Sequence, residues 1–93
     1  MTEEQKEIDA LDDQLIELCE QKGFTGEMIF IVGALVHDEK SIQLFGSEQK
    51  TIKTAITVLE VFDNIDDPKA SFSALYRTFD NPPKELANLI NDI

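Results

Sequence analysis

Glu27-Met28-Ile29-Phe30-Ile31-Val32-Gly33-Ala34-Leu35-Val36 is the stretch whose conformation decides the architecture of this chain. Met28, Phe30 and Val32 alternate with Ile29, Ile31 and the small Gly33, so both faces of an extended segment would be apolar. A short run rich in β-branched and aromatic residues reads as a strand covered on both sides, or covered on one and paired with a partner. His37-Asp38-Glu39-Lys40 follows as a polar turn and Ser41-Ile42-Gln43-Leu44-Phe45 as a second strand, giving an antiparallel hairpin with a four-residue loop. A lone two-stranded hairpin is only marginally stable in water, so helices must cover it or another chain must extend it.

Helical patterns flank this segment. Upstream, Thr2 and Gln5 have capping-box spacing, and Ile8, Leu11, Leu15, Leu18 and Cys19 form one apolar stripe. Lys22-Gly23 closes that helix with a cation and a residue free to turn left-handed. Downstream, Gly46-Ser47 breaks the second strand, with Ser47 as a candidate cap. Ile52, Ala55, Ile56, Leu59 and Phe62 then keep helical spacing to about Asn64. The Thr, Ile and Val content leaves a strand from Thr54 as the competing reading. Asp67-Pro68 is a helix start, followed by the stripe Phe72, Leu75, Tyr76 and Phe79. Asn81-Pro82 restarts a last short helix with Leu86, Leu89, Ile90 and Ile93.

The expected fold is therefore α+β, a single domain over residues 1–93. It comprises an N-terminal helix, a two-stranded antiparallel β-hairpin, and two or three helices packed on the hairpin. The expected core contains Leu11, Leu15, Leu18, Phe30, Val32, Leu44, Ile56, Leu59, Phe72, Leu75, Phe79, Leu86 and Ile90.

Composition narrows the function classes. The chain carries 19 acidic residues against eight basic ones, a formal charge of −11, and eight of the acids lie in its first 22 residues. Nucleic acid and anionic lipid should repel such a surface, whereas basic surfaces should attract it. Hydrophobic content of 42% supplies a core and argues against disorder. A lone cysteine, an acidic N-terminus without a signal-peptide pattern, and a longest apolar run of nine residues with a glycine fit a cytoplasmic protein outside the membrane.

Reaction motifs are missing from the sequence. His37 is the single histidine and sits among charges; Cys19 falls on an apolar stripe and reads as a packing thiol. One cysteine and one histidine do not make a zinc site. The acidic stretch Asp63-Asn64-Ile65-Asp66-Asp67 fails as a calcium loop at Ile65, Pro68 and Ala74. The expectation is no catalytic residue, no metal and no cofactor.

The stretch Ile8-Asp9-Ala10-Leu11-Asp12-Asp13-Gln14-Leu15-Ile16-Glu17-Leu18 resembles the opening helix of the small all-helical chorismate mutases, over about a fifth of the chain. In that family an arginine three residues before the Ile-Asp pair binds the dicarboxylate substrate, and Gln5 stands there here. That departure, the early stop at Gly23 and the hairpin mark the likeness as convergent amphipathic patterning. Size, acidity and a helix–hairpin–helix order resemble small phage-encoded DNA mimics, including some anti-CRISPR proteins, across the whole chain.

Asp9, Asp13 and Glu17 recur every four residues opposite the apolar stripe, flanked by Glu3 and Glu20. Successive carboxylates stand ~6 Å apart along the axis. Like charges so placed cost a helix roughly 0.2–0.5 kcal/mol per pair, which solubility alone does not require. The five residues form the candidate partner-binding face, directed at the basic surface of a nucleic-acid-binding protein such as a CRISPR effector and not at nucleic acid or membrane. The alternative is a self-associating structural or accessory protein, a homodimer built on the apolar strand Met28–Val36 or on the Phe72–Phe79 stripe.

Overall fold

A computed structural model describes residues 2–49 and 51–93 and, among them, places helices only: α1 (Glu3–Gln21), α2 (Gly26–Val36), α3 (Asp38–Phe45), α4 (Thr51–Asn64), α5 (Pro68–Thr78) and α6 (Lys84–Asp92). The α+β expectation is wrong. Both hairpin strands are helices, and the polar turn between them is the first turn of α3.

The reason lies in burial. Ile31 through Val36 are all buried, because α2 contacts α1, α3, α4 and α6. Covered all round, residues 31–36 have no polar face, so the apolar residues lose the 3.6 period and mimic a doubly covered strand. Its start is nevertheless encoded: the Thr25 hydroxyl accepts the Met28 N–H at 3.3 Å, an N-cap bond, and Glu27 in the first turn suits the helix dipole. His37 alone separates α2 from α3. Its backbone is extended (φ −120°, ψ 119°), and it ends one helix while starting the next. Asp38 and Glu39 sit in the first turn of α3, where carboxylates are favourable, and Gly46 closes it at φ +75°. The buried Ser41 hydroxyl donates back to the Ala34 carbonyl and ties the two helices across the corner.

The N-terminal helix forms as its pattern predicts. Thr2 Oγ1 accepts the Gln5 N–H at 3.1 Å. The Gln5 amide turns forward to donate to Asp9 at 3.0 Å, so its side chain serves the next turn of the helix. At the other end Gly23 adopts φ +75°; its N–H reaches the Glu20 carbonyl and that of Phe24 reaches Cys19. These two bonds make a Schellman motif, which turns Phe24 back into the core. There Phe24, Phe62 and Phe72 meet with ring centroids 5.2–5.5 Å apart, two of the three pairs edge-on.

Thr51–Asn64 is helical throughout, and the competing strand from Thr54 is absent. The helix begins at Thr51, too far from Ser47 for that residue to cap it. Asp67 caps α5 by accepting the Ala70 N–H at 2.9 Å with Pro68 in the first turn. Among the expected core residues, Leu15, Val32, Phe72, Leu75 and Leu86 are buried. Leu11, Leu18, Leu44, Leu59, Phe79 and Ile90 are half-buried against that core. Phe30 and Ile56 are 45% and 43% exposed, the first because its segment is a helix with that position turned outward. Phe24, Leu35, Val36, Val58 and Phe62 fill the core instead. Among the described residues no helix is long and apolar enough to cross a membrane.

Candidate partner-binding face

The five expected site residues all lie on α1. Glu3, Asp13, Glu17 and Glu20 are exposed, and Asp9 is half-buried and occupied by the Gln5 amide. Glu3 has Lys6 at 3.7 Å, both largely in solvent, a pair of little energetic weight. Among the described residues, Asp13, Glu17 and Glu20 have no basic group within 4 Å. The effective row is therefore Asp13, Glu17 and Glu20, with Asp9 and Glu3 at its margin.

The fold leaves that row open by spending two lysines elsewhere. Lys22, expected to complement the end of its own helix, crosses to α4. Its ammonium donates to the Phe62 carbonyl and, at 3.0 Å, to that of Ile65, and it pairs with Asp66 at 3.2 Å. The last carbonyls of a helix lack intrahelical partners, and a cation beside them satisfies both hydrogen bonding and dipole. Lys40 turns to Asp12 at 4.0 Å.

Sequence reasoning missed that second pairing. Asp12 falls on the same helical face as Ile8, Leu15 and Cys19, the spacing by which its inward position could have been read. Burial pushes its carboxyl above the usual range, while Lys40 and His37 pull it back. Asp12 Oδ1 and His37 Nδ1 are buried without hydrogen-bond partners among the described residues. Gly33 makes room for the pair: a Cβ there would stand 3.3 Å from Lys40 Nζ. Cys19 is fully buried, and burial raises its thiol to about 11, against the weaker pull of Lys22.

Among the described residues, four of the surface grooves, of about 260–330 Å³, lie at helix junctions. One joins the acidic face: Gln14, Glu17, Leu18 and Gln21 of α1 line it opposite Leu59 and Asp63 of α4. The surfaces expected for self-association are mostly interior. Residues 31–36 are buried, as are Phe72 and Leu75, which leaves Tyr76 (37% exposed) as the outward part of the second stripe.

No family model matches this chain, and no curated protein or solved structure matches it either. Of the two resemblances in the sequence, the DNA-mimic layout loses its hairpin and keeps size and acidity. The hairpin also drops out of the case against the chorismate mutase likeness. The remaining grounds stand in the fold: Gln5 is engaged by Asp9, and Gly23 ends α1 at a Schellman turn.

Proposed function

We propose that this chain is a non-enzymatic interaction protein that presents the carboxylates of α1 to the basic surface of a nucleic-acid-binding protein. Its action there is inhibitory, in the cytoplasm, with a CRISPR effector as one such target. The observation that carries the reading is the exposure of Asp13, Glu17 and Glu20 with no basic group of the described residues within 4 Å of them.

Charge density supports it. The helix is ~28 Å long at 1.5 Å per residue. With Asp12 turned inward it keeps seven carboxylates against Lys6. That is roughly one net charge per 5 Å, within a factor of two of the ~3.4 Å per charge of one DNA strand. A rigid helix holds these charges without the ordering cost of a flexible acidic tail. Association should be fast and sensitive to salt.

The test is competition. A basic protein captured from host lysate and purified should release duplex DNA as this chain is titrated in, and affinity should fall from low to moderate salt. A partner that keeps its DNA, or binds indifferently to salt, ends the reading.

A further inference from the structure

We propose that the α1–α4 groove is an arginine-accepting subsite of the acidic face, built to take a guanidinium side chain of the partner in preference to a lysine. The proposal rests on the reading of α1 as the docking face and adds a chemical preference to it.

Two helices build the groove. Along α1, Gln14, Glu17, Leu18 and Gln21 stand at i, i+3, i+4 and i+7, on one face of the helix; along α4, Leu59 and Asp63 are one turn apart. Leu18 and Leu59 are half-buried and pack against the core, so they form an apolar floor. Glu17 and Asp63 stand exposed on opposite walls, and neither has a basic group within 4 Å among the described residues. The nearest cation in sequence, Lys22, is held by two carbonyls and Asp66 and does not fill the space. Among the four grooves this one combines two carboxylates with no basic lining residue. Lys53 accompanies Glu48 and Asp80, His37 accompanies Asp38 and Glu39, and the α5–α6 groove carries Arg77.

An apolar floor between two carboxylates discriminates between the cations. A guanidinium is planar and weakly hydrated, lies flat on apolar surface, and offers donors along two edges, enough for a carboxylate on each wall and the Gln14 and Gln21 amides. An ammonium is strongly hydrated and loses more on leaving water for the same floor. At about 260 Å³ the groove suits one side chain, and lies just below the ~300–1,000 Å³ of small-molecule pockets.

Capped octa-arginine and octa-lysine peptides test this on the full chain, by calorimetry and by amide chemical shifts. Octa-arginine should bind several-fold more tightly and shift Leu18, Leu59 and the Gln14 and Gln21 side-chain amides. Glu17→Gln with Asp63→Asn should abolish the difference between the peptides, with an unchanged melting curve as the folding control. In contrast, Asp13→Asn with Glu20→Gln should weaken both peptides alike. Equal affinities, with shifts confined to the Asp9–Asp13 turn, would overturn the subsite and leave the acidic face standing. Binding of neither peptide at low salt would overturn both.

Discussion

The ammonium of Lys22, at the end of the first helix, donates to the backbone carbonyl of Ile65 at 3.0 Å, just past the end of the fourth. Forty-three residues apart in sequence, they lock α1 and α4 side by side and thereby set the walls of the acidic groove.

Lys22→Met keeps the apolar stem and removes the cap. Hydrogen bonds to charged groups contribute about 1.5–3 kcal/mol, and a loss of that size is expected in urea unfolding. Asp66, whose side chain is almost wholly in solvent, should be replaceable by Asn without a measurable change. If the two variants lost the same stability, the ion pair and not the carbonyl cap would be the operative contact.

Asp12 gives a pH dependence of definite sign. Its carboxyl binds a proton more tightly in the folded chain than its ordinary value of 3.8, because burial penalises the anion. The stability associated with the protonated form is fully present below that value and is lost as pH rises through the raised one. Asp12→Asn should therefore be more stable than the parent at neutral pH, and the advantage should shrink in acid. Lys40 does not reverse this, since it stands at 4.0 Å and is itself 39% exposed. Melting curves across the acid range would settle the sign.

Two glycines should respond in opposite directions to alanine. Gly23 sits at φ +75° with open space around it, so Gly23→Ala meets only backbone strain, about 1–2 kcal/mol. Gly33 lies inside α2, where alanine is intrinsically better by about 1 kcal/mol. The tight contact it would make is with the mobile end of Lys40. Gly33→Ala should come out modestly stabilising, with Lys40 displaced from Asp12. Thermal unfolding of the pair reads both signs.

Charge reversal of Asp13, Glu17 and Glu20 to lysine touches no internal contact, whereas Asp9 would break the bond from Gln5. The triple variant should keep its helical circular dichroism and lose binding to octa-lysine. Retained binding would make the row a solvated surface and nothing more.

Cys19 should be silent to alkylation in the native chain near neutral pH. Its thiol is fully buried and is raised to about 11. Only the thiolate reacts. Modification should appear in step with unfolding by urea, as followed by mass spectrometry.

Helices with one wet face could be read directly. The stripes of α1, α5 and α6 are regular because solvent touches their other side, and the outward position of Asp13, Glu17 and Glu20 follows from the stripe of α1; the α4 pattern left a strand from Thr54 open and put the exposed Ile56 in the core. The α2 segment reads as a strand because neighbours cover residues 31–36 on all sides and the outward position before them is the apolar Phe30, which together erase the polar face on which periodicity depends. Its Thr25 cap was a local signal that the β-branched run outweighed. For α3, Asp38-Glu39-Lys40 reads as a turn until its acids are recognised as first-turn residues and Gly46 as the closing one. Asp12 is one of the eight acids counted in the first 22 residues and receives no role of its own from the sequence, although its spacing from Ile8 and Leu15 points in.

The joint at His37 leaves α2 and α3 no slack. One residue inserted there would rotate everything after it by ~100° about the axis of α3, from 3.6 residues per turn. Ser41 would then swing off the Ala34 carbonyl, and Lys40 would be driven into its buried place and away from Asp12. The corner thus behaves as a fixed-length part: substitutions at its surface are absorbed locally, but a change in residue count propagates down the whole of the following helix.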